Sequence, residues 1–237
     1  MSDEIKQGLN FGLSGLIQDM EAVEHREPTP EEIEKEQENQ KRLEEKEKNK
    51  RLQESGIGER YFKARLDNYV CNTAERKRVF QEVCEFLKDY QGKTLWMLGR
   101  EGTGKTMLAA IICRECFGSH YVKSYQIAME LEDCMSFKAT ESRTALLQRY
   151  SKYPVLVIDE VGRFSGKEEL KYLYMILNER YEMNKTTVLI TNYEKTDFAQ
   201  YLGKQLYDRF TESCKSIEFN FESYRINKRL EYLKRDN

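Results

Sequence analysis

Eight consecutive residues, Gly99-Arg100-Glu101-Gly102-Thr103-Gly104-Lys105-Thr106, carry the spacing G-x-x-x-x-G-K-T. Glycines at that spacing let successive backbone N–H groups curl around phosphate oxygens, since glycine alone enters left-handed backbone regions freely. A lysine placed next reaches the β- and γ-phosphates, and a threonine hydroxyl after it suits Mg2+. The chemistry implied is binding of ATP with Mg2+. Further along, Val155-Leu-Val-Ile158 runs into Asp159-Glu160. A carboxylate at the end of an apolar strand can hold magnesium, directly or through water, and its neighbour can orient or activate a water molecule. Such a pair points to hydrolysis rather than transfer to a small molecule. Asn192 closes the next strand, in position to touch both the γ-phosphate and the attacking water. Arg209 and Arg225 are candidates to stabilise transition-state charge, an effect of about 10³ to 10⁵ in rate where it operates. The ordinary alternatives are a polar strand end, a turn-forming asparagine and surface salt-bridge arginines.

These residues need a scaffold that brings strand ends together. The apolar run Leu95–Leu98 precedes the glycine loop, and residues 105–117 read as a helix after it, which presents its positive end to the same anion. Val79, Val83, Phe86 and Leu87 mark a helix over 75–90. Residues 121–125 read as a strand, roughly 127–150 as helical, 167–183 as a helix and 187–191 as a strand. Strands alternating with helices predict an α/β fold with a mainly parallel sheet covered on both faces.

The front of the chain differs. Residues 1–54 hold 9 Lys and Arg against 15 Asp and Glu, whereas the remainder holds 30 against 26. An acidic front and a mildly basic back imply separate modules. Ile5, Leu9, Leu13, Leu16, Ile17 and Met20 recur at helical spacing, so residues 1–30 read as an amphipathic partner-docking segment, weakened as a free helix by Gly8, Gly12 and Gly15. Pro28 and Pro30 break the chain. Residues 31–54, almost entirely Glu, Lys, Gln, Asn and Arg, read as a charged helical linker. Residues 55–237 are then the nucleotide-binding domain.

Net charge of the whole chain is -2, so no overall field draws it to nucleic acid. There is no signal-like leader and no apolar run long enough for a bilayer, which implies no membrane partner and a cytoplasmic protein with reduced thiols. Cys113 and Cys116 form a C-x-x-C inside a helix without a second ligand pair, and read as small apolar residues.

The order of motifs resembles the AAA+ ATPases, and among them the DnaC family of bacterial helicase loaders. The resemblance spans most of residues 55–230. It rests on Ser55-Gly-Ile57, Arg60-Tyr61 and Asp67-Asn-Tyr69 as the family's opening segment, on Gly99–Thr106, on Val157-Ile-Asp-Glu160, and on Thr191-Asn192. Asp208-Arg209-Phe210 resembles the arginine-finger motif, and Phe219-Asn-Phe-Glu-Ser-Tyr-Arg225 the stretch with the second sensor arginine. The resemblance implies that Asn192 is sensor 1, that Arg209 acts on a neighbouring copy's ATP in a homo-oligomer, and that Arg225 is sensor 2. It further implies that the partners are single-stranded DNA and a replicative helicase. The acidic first 54 residues match no helicase-binding domain of the family, and Leu66 stands where an aromatic is usual. Transposition helper ATPases of the IstB type share nearly all these motifs, and an ATP-gated adaptor with little turnover is a third reading.

Holding single-stranded DNA takes basic groups for phosphates and aromatics for bases. Residues 121–153 offer Tyr121, Lys123, Tyr125, Phe137, Lys138, Arg143, Arg149, Tyr150 and Lys152 as a footprint, and a solvated helical surface with core aromatics is the other reading of the same stretch.

Overall fold

The computed structural model describes residues 28–136, 139–163, 167–211 and 214–224. The apolar series from Ile5 to Met20 in the expected docking segment, the candidate Arg225, and Phe137 and Lys138 of the footprint lie outside the described residues. The chain divides into two compact units, Met1–Glu45 and Lys46–Asn237.

In the first unit the described residues open the helix α1 (Pro30–Glu54). Its start is fixed locally by Thr29-Pro30-Glu31-Glu32. The Glu32 amide donates to the Thr29 hydroxyl at 3.3 Å, and the Thr29 amide donates back to the Glu32 carboxylate at 2.9 Å, with proline at the first helical position where no N–H is missed.

The second unit contains α2 (Ala74–Lys88), β1 (Thr94–Gly99), α3 (Lys105–Glu115), β2 (Ser119–Lys123) and α4 (Ser124–Asp133). It continues with α5 (Arg143–Lys152), β3 (Val155–Val161), α6 (Lys167–Glu182), β4 (Thr186–Thr191), α7 (Lys195–Thr211) and β5 (Cys214–Phe219). All strand pairs are parallel, in the order β2-β3-β4-β1-β5. Each carboxyl end therefore opens on the same edge, where ligands sit in open α/β sheets.

Alternation along the strands divides the core in two. Leu95, Met97, Val155, Val157, Val188 and Ile190 face one cluster with residues of α2 and α3, while Trp96, Leu98, Leu156, Ile158 and Leu189 face a second, covered by α4 to α7. Strands buried on both faces are why β1, β3 and β4 read as unbroken apolar runs. Cys113 and Cys116 lie buried in the first cluster, and burial holds both thiols above the ordinary range, which leaves them inert.

The helical patterns after β2 resolve into two helices, because Ser142 caps the second, its hydroxyl accepting from the Ala145 amide at 3.2 Å. One detail departs from the sequence reading. The end of the charged helix is not solvated throughout: Leu52 is fully buried, the Arg51 guanidinium donates to the Glu115 carbonyl at 3.3 Å, and Lys48 pairs with Glu115 at 2.6 Å. Helix α7 is broken at Gly203, whose φ of 75° is outside the helical range.

Candidate functional site

The glycine loop connects β1 to α3. Its opening is held by neighbouring strands: the Gly99 amide donates to the Tyr193 carbonyl at 3.0 Å and the Arg100 amide to the Phe219 carbonyl at 3.1 Å. Its carbonyls are engaged on the protein side. Lys105 Nζ donates to Gly99 O at 2.6 Å and Arg100 O at 2.7 Å, and the Tyr224 amide donates to Gly102 O at 2.9 Å. With these carbonyls engaged, it is the stretch from Glu101 onward, and not Gly99 or Arg100 with their amides already bonded, that lines the cleft. Gly104, at φ 101°, precedes α3 directly, so the loop delivers its anion to a helix N-terminus.

Lys105 is 7% exposed, and burial pushes its ammonium down to about 8, against the opposing pull of Asp159 and Glu101. A buried cation short of a full counter-charge is a site waiting for an anion. Thr106 Oγ1 donates to Asp159 Oδ2 at 2.9 Å, which brings together the two candidate Mg2+ residues. The described residues hold no preformed group of three or more His, Cys, Asp or Glu suited to a metal. One hydroxyl and one carboxylate are still the donor set expected of Mg2+, which draws its other ligands from phosphate and water.

Asp159 and Glu160 sit on a bulge, where the β3–β4 register shifts between Ile158 and Val161. Glu160 adopts φ 58°, a left-handed conformation uncommon outside glycine and concentrated at functional sites. The bend separates the two carboxylates. Asp159 faces the loop, while Glu160 is held between Lys123 at 3.3 Å and Arg163 at 3.0 Å. The Glu160 amide donates to Asp159 Oδ1 at 2.7 Å. Behind the bulge, Gly162 is fixed from two sides. Its amide donates to Glu169 Oε1 at 3.1 Å and its carbonyl accepts from the Tyr193 hydroxyl at 3.0 Å; a Cβ here would meet Tyr193 at 2.3 Å.

Asn192 extends from the end of β4 across the cleft, donating through Nδ2 to Glu101 Oε1 at 3.1 Å. A cleft of about 440 Å³ is lined by Glu101 to Met107, Asp159, Glu160, Arg163 and Asn192, together with Arg60, Tyr61, Asn68, Tyr69, Val70, Arg76 and Tyr224. The loop, the acidic pair and Asn192 thus converge. Arg209 is exposed and not part of this lining; it donates to Asn178 Oδ1 and lies over the Tyr181 ring at 5.4 Å.

The expected DNA footprint needs correction. Tyr121 and Tyr150 are buried; the Tyr121 hydroxyl donates to Asp159 Oδ2 at 2.8 Å and the Tyr150 hydroxyl to Glu130 Oε2 at 2.9 Å. Burial and the adjacent Asp159 carboxylate push the Tyr121 phenol far above its usual range, so it is a fixed donor. Arg149 is paired with Glu130 at 2.9 Å and Glu141 at 3.4 Å, Lys123 with Glu160, and Arg143 lies over Tyr172 at 5.6 Å. Spacing cannot show such pairing, because the acidic partners come from other elements.

Sequence reasoning also missed Arg76, Arg163 and Tyr193, and gave Tyr121 a place in the DNA footprint rather than beside Asp159. Only Arg76 carried a signal. It falls in phase with Val79, Val83 and Phe86 on the buried side of α2, and a cation on an apolar stripe needs a partner. It donates to the Glu222 carbonyl at 3.3 Å and lies over Phe221 and Tyr224 at 5.5 and 5.3 Å.

Comparison with known proteins agrees with this geometry. The chain is 26% identical over 179 residues to the replicative helicase loader DnaC of Escherichia coli strain K12, covering 72% of this chain and 73% of that one. It is 30% identical over 189 residues to an insertion sequence IS21-like ATP-binding protein of Bacteroides fragilis, covering 76% and 70%. Among solved structures, the DnaC helicase loader aligns with a TM-score of 0.58 at 24% identity over 69% of this chain and all of that one. The replication initiator DnaA bound to AMPPCP and single-stranded DNA aligns with a TM-score of 0.58 at 21% identity, over 76% and 56%. The fold is that of an AAA+ P-loop NTPase. The family model for IstB-like ATP binding protein matches residues 32–232, and the chain belongs to that family.

Proposed function

We propose that this chain is a Mg2+-dependent ATPase that loads a replicative helicase onto single-stranded DNA. The observation that carries the hydrolytic part is the divided acidic pair. Asp159 meets the Thr106 hydroxyl inside the cleft, and Glu160, bent away by its positive φ and steadied by Lys123 and Arg163, acts on water rather than on the metal. Magnesium would be held by Thr106 and Asp159, and when bound it neutralises charge on the phosphate oxygens. Lys105 and the amides of Glu101, Gly102, Thr103 and Gly104 cradle the phosphates, while Gly99 and Arg100, expected in the cradle too, spend their amides on the Tyr193 and Phe219 carbonyls and anchor the loop instead. Asn192 swings from Glu101 to the γ-phosphate, and Arg225, next along the chain from Tyr224 in the cleft wall, senses the same phosphate. Arg209, exposed and away from its own cleft, serves a neighbouring copy's ATP, which makes the working form a homo-oligomer. Residues 1–30 dock the partner, 31–54 link, and 55–237 form the ATPase. No helix among the described residues is long and apolar enough to cross a membrane, and the proposed place of action is the cytoplasm.

The DnaC relative supports the loader reading. The IS21-like relative supports a second one, a transposition helper acting on duplex DNA. ATP hydrolysis measured alone, with single-stranded DNA, with duplex, and with a replicative helicase separates them. Stimulation by single strands with co-elution of the helicase is the expected result. Stimulation by duplex alone transfers the assignment to transposition, and indifference to all three leaves an ATP-gated adaptor.

A further inference from the structure

Asp159 is gripped from three directions. Its Oδ1 accepts from the Glu160 amide at 2.7 Å, and its Oδ2 accepts from Thr106 at 2.9 Å and from the Tyr121 hydroxyl at 2.8 Å. The first donor belongs to its own bulge and the second to the helix that follows the loop, where Thr106 is itself a candidate metal ligand. Tyr121 is the donor rooted in the sheet. Its ring packs in the first core cluster, and its amide donates to the Ser55 carbonyl at 2.6 Å, so backbone and side chain are both seated. In the parallel register Tyr121 lies opposite Val157, one side-chain repeat before Asp159, and the long phenol reaches forward along the strand to the carboxylate.

We propose that Tyr121 is a positioning residue that keeps the Asp159 carboxylate aimed at the Mg2+ of bound ATP; this rests on the metal-holding role proposed for Asp159. Partners that orient a ligating carboxylate typically change metal affinity by about 10- to 100-fold when removed. The phenol never touches the nucleotide in this account, so its removal must appear in the metal dependence and not in the affinity for nucleotide as such.

Tyr121→Phe removes one oxygen and keeps the ring. Binding of a fluorescent ATP analogue is followed while Mg2+ is titrated, and again in EDTA, for the wild type, Tyr121→Phe and Asp159→Asn. For Tyr121→Phe the Mg2+ concentration for half-maximal binding rises about tenfold while affinity in EDTA stays within about twofold. An unchanged Mg2+ midpoint overturns the proposal, and so does an equal loss of affinity in EDTA, the mark of a loosened fold. If Asp159→Asn also leaves the midpoint where it was, the metal role of Asp159 itself has failed; if it moves and Tyr121→Phe does not, only the inference about Tyr121 has failed.

Discussion

The cleft at the strand ends and the outer layer of helices α4 to α7 both carry chemistry-bearing residues, but they dispose of their charges differently. In the cleft the groups are linked around a buried centre: Lys105 and Asp159 are buried, Lys105 on the loop carbonyls and Asp159 under Thr106 and Tyr121, while the partly buried Glu160 is paired with Lys123 and the exposed Arg163. In the outer layer Arg180 is buried on main-chain carbonyls, and three further arginines are half-buried or exposed and already engaged by neighbours, Arg149 on Glu130 and Glu141, Arg143 over Tyr172, Arg209 on Asn178. Groups of the first kind are organised by one chain alone. Cations of the second kind act only after a partner, a second copy or a nucleic acid, draws them off contacts that at solvent-exposed positions are weak.

The largest effect separating the two regions belongs to Arg209→Ala. Turnover should fall about 10³-fold at concentrations where copies associate, with ATP affinity unchanged. Hydrolysis measured against protein concentration checks this, and an equal loss in the dilute monomer would place Arg209 in its own cleft and erase the distinction.

Lys105→Ala comes next, and it should act in any state of assembly. Truncating one partner of a buried charge pair weakens binding by about 2–5 kcal/mol, which is roughly 30- to 5,000-fold in ATP affinity by calorimetry. The same lysine makes binding depend on pH. With its ammonium pushed down to about 8 in the free protein, it is charged below that pH and affinity is flat there. Above pH 8 the free lysine loses its proton and binding must restore it, so affinity falls by up to about tenfold per unit. Calorimetry in buffers of different ionisation enthalpy should show proton uptake above pH 8, and none would mean that phosphate does not meet Lys105.

The smallest effect is in the outer layer. Arg149→Ala should change single-stranded DNA affinity by less than about threefold, since its guanidinium is already neutralised by two carboxylates and an exposed pair holds only about 0–1 kcal/mol. A loss of tenfold or more in a binding titration would restore α5 to the DNA footprint.

The same contrast explains what the sequence could show. The cradle was legible because backbone geometry dictates it: glycine, lysine and threonine at fixed spacing between a strand and a helix admit few other structures, and an apolar run ending in Asp159-Glu160 marks the sheet edge. The parallel sheet followed from apolar runs alternating with helical patterns, although α7 with its break at Gly203 and the half-exposed β5 carry weak periodicity. The positive φ of Glu160, the fixing of Gly162 by Glu169 and Tyr193, and the buried phenol of Tyr121 depend on contacts between elements far apart in the chain. No local pattern encodes them. Tyr121 and Tyr150 looked like base-stacking platforms because an aromatic on an edge element reads the same whether it faces solvent or core.

Glu160→Gln tests the central claim most directly, that this cleft binds ATP and turns it over with Glu160 acting on water. The substitution keeps the shape of the side chain and removes its charge. ATP affinity within about threefold of wild type, with hydrolysis slowed at least about 10²-fold, is the outcome expected for loss of a general base. A variant that hydrolyses ATP at the wild-type rate would contradict the account.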